Sequence, residues 1–267
     1  MRYSVSLSFA SAVVAAGLLV GACSDDSTST ASTAAPDSTT TLPHWTYEGE
    51  EGPAHWGELS EAYATCADGS AQTPINITSA STEALADPTF DYSAGTATVI
   101  NNGHTIQANA PEGNTVTVDG VSSPLKQIHF HAPSEHTIDG TTYAAEVHFV
   151  HKTDAGEITV VGVLIEEGTT ANAAWQPYID AMGVAKGAEQ AAEIDWAAML
   201  PTSKMTYRYA GSLTTPPCSE GVSWMLMETP VQLSADQIAA IVAAYEGNAR
   251  PVQSLNGRTV QMDSSEG

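Results

Sequence analysis

The chain has 267 residues, 42% of them hydrophobic, with 8 basic and 31 acidic side chains and a formal charge of −23. That length can bury one large core without a disulfide lattice. A surface this acidic repels phosphate, which argues against a nucleic-acid binder and against adsorption to anionic lipid. The three cysteines are too few for a disulfide scaffold, and their odd number asks for separate roles.

In chain order, Arg2 provides a short positive start, and residues 9–20 form an apolar run ending in Val20-Gly21-Ala22-Cys23. A run this short, followed by small residues, reads as a signal peptide over residues 1–22 rather than as a membrane span. The small-small-Cys ending resembles a bacterial lipobox, which would make Cys23 the acylated first residue of the mature chain. The alternative is an ordinary signal peptide with a chance cysteine. Residues 24–41 are almost wholly Ser, Thr, Ala and Asp and cannot form a core. The expected layout is an anchor and tether over 23–42, then one domain over 43–267. The chain is therefore expected to be exported, either lipid-anchored at the cell envelope (periplasmic or outer surface) or secreted if Cys23 stays unmodified. Any membrane contact would come only through that anchor.

From residue 44 onward, stretches rich in Val, Ile and Thr predict strands over 96–101, 105–109, 115–118, 125–131, 142–151, 159–166 and 222–228. Asp139-Gly140 is a hairpin-type turn between two of the richest strands. Ser234, with Gln237 three residues later, forms a capping-box pattern before Ile238, Ile241, Val242 and Tyr245 at helical spacing, with Gly247 as the stop. A second helix is expected over about residues 171–182. The pattern is mainly β, a β-dominated α+β domain with short peripheral helices.

The chemistry concentrates between residues 127 and 151. Alternation along a strand puts Gln127, His129 and His131 on one face and Ile128 and Phe130 on the other. On the following strand Glu146, His148 and Val150 share a face. If the two strands are antiparallel neighbours, three imidazoles converge from rigid backbone. Three neutral nitrogen ligands with an open fourth position are the arrangement of a catalytic zinc site, whereas oxygen-preferring cations would want more carboxylates. A single histidine is more often a satisfied core or surface group; His-x-His on one strand and Glu-x-His on the next shifts the balance toward metal. His136 and His151 lie off that face and read as structural hydrogen-bonding histidines. His44 and His55, each followed by Trp, read as parts of an N-terminal aromatic packing cluster.

The histidine block is one of several ordered motifs. Before it come Trp45-x-Tyr47, Gly52-Pro53-x-His55-Trp56, Gln72-Thr73-Pro74-Ile75-Asn76-Ile77 and Asn101-Asn102-Gly103-His104. After it come Tyr209-Ala210-Gly211-Ser212-Leu213-Thr214-Thr215-Pro216-Pro217 and Asn248-x-Arg250-Pro251-x-Gln253-x-Leu255-Asn256-Gly257-Arg258. Together they resemble the alpha-class carbonic anhydrases over essentially everything after the tether. The resemblance implies a single domain on a large, twisted, mostly antiparallel central sheet of about ten strands. It implies Zn2+ on His129, His131 and His148, with zinc-bound hydroxide attacking CO2 to give bicarbonate and a proton.

Matching positions imply further roles. Gln127 and Glu146 would accept the outer N–H groups of metal histidines, with a backbone carbonyl as third acceptor; Glu146 has a second reading as a buried partner of His136. Thr214 would accept from the hydroxide and donate to Glu135. Val150, Val160, Leu213, Val222 and Trp224 would form the apolar wall for CO2. His104 would be the proton shuttle, with Tyr47, Asn102 and Gln107 holding a water chain toward it, although Gln107 departs from the asparagine common there in fast animal enzymes. Cys66 and Cys218 would form the disulfide of exported members, in an oxidising compartment. Sulfonamides and anions would inhibit, and the protein would be a monomer or homodimer. Two other classes compete with the enzyme reading. A catalytically silent carbonic-anhydrase-like binding or adhesion domain would have lost metal histidines, and a surface zinc scavenger would carry runs of loose ligands. This sequence keeps all three histidines and has no such runs.

Overall fold

Alternating β-branched and polar residues build sheet along most of the chain. The computed structural model describes residues 42–263, so the expected signal peptide, Cys23 and the tether lie outside the described residues. The first strands are β1 (Asn76–Ile77), β2 (Ser81–Glu83), β3 (Thr89–Asp91), β4 (Ala94–Asn101), β5 (Ile106–Asn109), β6 (Thr115–Val118), β7 (Val121–His131) and β8 (Thr137–Ile138). There follow β9 (Thr141–Thr142), β10 (Ala145–Lys152), β11 (Ile158–Gly168), β12 (Glu189–Asp195), β13 (Thr206–Ser212), β14 (Glu220–Met227), β15 (Val231–Ser234) and β16 (Gln261–Asp263). The helices are short: α1 (Trp56–Leu59), α2 (Thr65–Asp68), α3 (Gln176–Asp180) and α4 (Ala235–Ala244).

Thirteen strands join in one sheet whose main path runs β12-β4-β5-β7-β10-β11-β14-β13-β16-β2, and β1, β8 and β9 form a separate three-stranded sheet. Within the large sheet β11 pairs in parallel with β14 and β15, and β16 with β2; the other pairs described are antiparallel. The sheet is thus mixed and mostly antiparallel, with more strands than the ten expected. The additions β2, β3, β15 and β16 are only three or four residues long, too short to show a period of two. The sequence of β12, Glu-Gln-Ala-Ala-Glu-Ile-Asp, carries helix-forming residues. Pairing with β4 and burial of Ala192 and Ile194 override that preference.

Two local expectations shift. Asp139 and Gly140 take positive φ values of 49° and 77°, as a tight hairpin turn requires, but they join β8 to β9 inside the connection between β7 and β10. The helix expected over 171–182 is only α3 followed by a 3-10 turn, Ala181–Gly183. Asn172 takes the Ala174 N–H with its own side chain and donates its backbone N–H to Gln237, so the chain there is a turn. The capping box of α4 forms as read, with Ser234 accepting from the Gln237 N–H and Gln237 accepting from the Ser234 N–H.

Strand alternation divides the core. Ile128, Phe130, Val147, Phe149, Val161 and Val163 face a large cluster with Trp175, Tyr178 and Trp196. On the opposite face Val160, Leu164, Tyr209, Val222, Trp224 and Leu226 pack with Ile75 and Ile77. A third cluster holds Trp56, Tyr63, Cys66 and Cys218, with Trp45 and Tyr47 against it. His44 and His55 are not in that packing; they are exposed and face Glu51 and Glu58. The apolar contribution there comes from the tryptophans beside them.

His151 is a buried structural histidine, with Nε2 2.5 Å from the Tyr92 hydroxyl and Nδ1 3.2 Å from the Thr159 carbonyl. Burial pushes its pKa down to about 4, against the opposing effect of backbone hydrogen bonds. The unfolded ring takes up a proton near pH 6.5 and the folded ring only near pH 4. Stability is therefore fully present above the upper value and is lost as pH falls through that window, by at most about 3 kcal/mol from this ring. Urea unfolding at stepped pH should show this loss, and the His151→Gln variant should show a shallower one.

Candidate metal centre

The central pairing of the sheet builds the site. β7 and β10 run antiparallel with His129 directly opposite His148 and His131 opposite Glu146. Alternation then brings Gln127, His129, His131, Glu146, His148 and Val150 to one face. Ring centroids are 5.1 Å apart for His129 and His131, 5.2 Å for His129 and His148, and 4.6 Å for His131 and His148. One nitrogen from each ring lies within 4.8 Å of the other two.

The other nitrogen of each ring has an acceptor. His129 Nδ1 donates to Gln127 Oε1 at 2.8 Å, His131 Nδ1 to the Asn248 carbonyl at 2.7 Å, and His148 Nε2 to Glu146 Oε1 at 2.8 Å. An acceptor-only partner fixes the proton on the nitrogen it faces and leaves the lone pair on the far one. The free positions are thus Nε2 of His129, Nε2 of His131 and Nδ1 of His148. Of these, His131 Nε2 is buried with no hydrogen-bond partner, a costly condition that a cation would relieve. Burial, together with the neighbouring imidazoles, pushes His129 well below its ordinary pKa; burial also lowers His148, and takes His131 to about 4. All three rings are therefore neutral near pH 7. Three neutral nitrogens, each supported from behind, fit zinc.

Glu146 serves two partners. Oε1 accepts from both His148 Nε2 and His136 Nδ1, and Oε2 accepts the backbone N–H groups of Glu135 and His136. Burial alone would raise its pKa, but the two histidines and their hydrogen bonds outweigh that and hold it well below the usual carboxylate range. His136 completes itself through Nε2, 2.6 Å from the Tyr209 hydroxyl, so its nitrogens are both engaged. Gly162 lies across from His148. A Cβ there would sit 2.7 Å from Leu226 Cδ1 and 3.1 Å from Glu146 Oε1; glycine leaves the carboxylate uncrowded.

Glu135 and Thr214, distant in sequence, are both buried beside the histidines. Glu135 Oε2 is 3.5 Å from His131 Nε2, and Oε1 accepts the Arg250 N–H at 2.8 Å. Oε2 makes no hydrogen bond of good geometry, yet Thr214 is near enough to favour the charged carboxylate. Burial dominates and pushes Glu135 up to about 7; a cation on the adjacent histidines would act in the opposite sense. The segment carrying Thr214 is pinned from several sides. Ser212 and Thr73 exchange hydrogen bonds, Trp224 Nε1 donates to the Ser212 carbonyl, and Cys218 is disulfide-bonded to Cys66, 152 positions away.

Val160, Val222 and Trp224 are buried in one apolar cluster, with Val150 and Leu213 packed against it, so the five residues expected to form the wall belong to one cluster. Asn102 Nδ2 donates to Gln107 Oε1 at 3.4 Å, and Gln107 is the cross-strand neighbour of His129. Tyr47 lies close enough to Glu135 to be raised by it, after burial. The His104 ring stacks on Trp45 at 3.8 Å. Its backbone is held by Asn102 Oδ1 on one side and by Asn248 Nδ2 on the other.

Two residues of the Asn248-x-Arg250 motif bind the site together. Asn248 accepts from His131, receives the Ala132 N–H on Oδ1, and donates Nδ2 to both the His104 and Phe130 carbonyls. Arg250 donates to Gln72, Thr73 and Cys66 and stays cationic, although burial lowers its pKa to about 10. The Asn248-x-Arg250 spacing was the only available signal, since the partners lie more than a hundred positions upstream.

A family model described as eukaryotic-type carbonic anhydrase matches residues 51–264. A carbonic anhydrase of Klebsiella pneumoniae is 46% identical over 227 residues, covering 81% of this chain and 90% of that protein. Among solved structures, the alpha-carbonic anhydrase of Thermovibrio ammonificans in complex with the inhibitor sulfanilamide aligns with a TM-score of 0.76 at 43% identity, covering 82% of this chain and 98% of the other. That of Photobacterium profundum gives the same score and identity over 82% and 100%. With the three-histidine cluster on the central strands, these matches make the chain a member of the eukaryotic-type, or alpha, carbonic anhydrase family.

Proposed function

We propose that this chain catalyses the reversible hydration of carbon dioxide to bicarbonate and a proton, with Zn2+ held by His129, His131 and His148. The observation that carries the reading is the set of three neutral rings, each with its outer nitrogen already bonded and His131 Nε2 left buried without a partner. Zinc, when bound there, supplies a Lewis acid that makes water ionisable at neutral pH.

The remaining work falls to the chain's own groups. Gln127, Glu146 and the Asn248 carbonyl keep the ring tautomers fixed. Glu135 in its ionised form can only accept, so the Thr214 hydroxyl donates to it and turns its lone pair toward the reacting oxygen, which orients the nucleophile. Val150, Val160, Leu213, Val222 and Trp224 offer an uncharged substrate an apolar wall. Tyr47, Asn102 and Gln107 hold water toward His104, which takes the proton outward. Burial, His44 and Lys186 all lower the His104 pKa, which helps it release the proton again. A silent binding domain would need no such set of oriented lone pairs.

Purified protein should hold about one zinc per chain, and stopped-flow CO2 hydration should be fast with zinc and abolished by a sulfonamide; a metal-free preparation with full activity would overturn the reading. Replacing His104 by Ala should lower kcat by about tenfold or more while zinc content stays constant, with imidazole buffer restoring part of the rate. A rate unmoved by both the substitution and the buffer would mean that another group carries the proton.

We further propose that residues 1–22 are removed on export and that Cys23 anchors the domain to the cell envelope. The disulfide between Cys66 and Cys218 supports an oxidising destination, and among the described residues no helix is long and apolar enough to cross a membrane. Mass spectrometry of the mature protein should find a diacylated or triacylated Cys23 at its N-terminus. An unmodified cysteine there would leave a secreted enzyme.

A further inference from the structure

A proton leaving His104 needs somewhere to go, and the surface beside it carries a second imidazole and a carboxylate. The His44 ring centroid is 6.0 Å from that of His104, with the planes inclined by 36°, a spacing one water can bridge. His44 Nδ1 is in turn 3.3 Å from Glu51 Oε2. Both side chains are open to solvent, at 64% and 51% exposure, whereas one face of the His104 ring is covered by Trp45 at 3.8 Å and 10°.

The arrangement is held in place. Trp45 meets Tyr47 and Trp56 edge-on at 5.4 and 5.3 Å. Trp56 Nε1 donates to the carbonyls of both Thr46 and Glu51, and the Thr46 N–H donates to the Glu51 carbonyl. These bonds close the turn that carries His44 at one end and Glu51 at the other. Lys186 also acts on His104; its Cε and Nζ come so near Gly103 that a Cβ there would lie only 2.7 and 2.8 Å from them. Glycine, lacking a Cβ, admits that approach, and the ammonium favours proton departure toward the acidic side.

We propose that His44 and Glu51 form an outer proton relay, which takes the proton from His104 and hands it to solution. The proposal rests on the reading of His104 as the shuttle. In the hydration direction imidazolium at His104 gives one proton, directly or through one water, to neutral His44. That ring then gives one proton to the Glu51 carboxylate or to a buffer base, and each group returns to its starting state. In the dehydration direction the carboxylate and ring gather protons for His104. In a chain of net charge −23, the outer surface attracts protons and cationic buffer acids.

The test is stopped-flow CO2 hydration by the zinc-loaded protein in a bulky buffer at low and high concentration. His44→Asn should lower kcat about fivefold at low buffer, equivalent to a rise of about 1 kcal/mol in the proton-release barrier, and Glu51→Gln should lower it less. In both variants kcat/KM should be unchanged, because CO2 conversion precedes the proton transfer, and high buffer should restore kcat. In a His104→Ala background, His44→Asn should cause no further loss, since a downstream station has nothing to receive. Unchanged kcat in His44→Asn at low buffer, or an equal loss with and without His104, would overturn the relay while leaving the shuttle intact. A His104→Ala variant with the parent's kcat would remove the shuttle reading, and the relay with it.

Discussion

The antiparallel register of β7 against β10 is the constraint from which the site follows. With His129 set opposite His148, all three rings and the acceptors Gln127 and Glu146 appear on one face, while Ile128, Phe130, Val147 and Phe149 are driven into the core on the other. A slip of one residue would exchange those faces, burying imidazoles among aliphatic side chains and exposing phenylalanines. Both strands are interior members of the sheet, flanked by β5 and β11. Their backbone hydrogen bonds are satisfied on both sides, which makes the ring positions a property of a stiff sheet rather than of a loop.

On that frame the buried charges are organised so that few stand alone. Glu146 faces two imidazoles and two backbone N–H groups, and Arg250 donates to a side-chain amide and two carbonyls. Groups such as these cost several kcal/mol when left unpaired in a core, so the network is an obligation of folding as well as a setting for chemistry. Among the described residues five buried side-chain polar atoms lack a hydrogen bond: Trp175 Nε1, Trp196 Nε1 and Arg250 Nε, and, 3.5 Å from each other at the centre, His131 Nε2 and Glu135 Oε2. An unpartnered imidazole nitrogen beside an unpartnered carboxylate oxygen is polar demand that a cation could meet.

The same wiring runs outward. Asn248 touches His131 of the histidine cluster and the backbone of His104 through one residue, and the aromatic cluster around Trp45 and Trp56 holds His104 at the rim beside the N-terminal turn. The inner part of the site is buried, and the outer part, at His44 and Glu51, is open to solvent.

Much of this was legible in the amino-acid order. The period-two pattern located the strands of the site, the His-x-His and Glu-x-His spacings singled out the three histidines that cluster, and Ser234 with Gln237 marked the longest helix among the described residues, because each signal lies within a few neighbouring residues. Motif resemblance extended the reading to Thr214, Glu135 and the cysteine pair. Short strands such as β2 and β16 were invisible, and β12, with its helix-forming residues, gave no strand signal, because pairing partners rather than local preference decide such segments. Only the folded chain determined that Asn248 and Arg250 close the site, that Gly162 makes room for Glu146, and that His44 stands beside His104. Those relations join residues tens to well over a hundred positions apart, and a contact made across such a span leaves no periodicity in the chain itself. It exists only once the sheet has set its register.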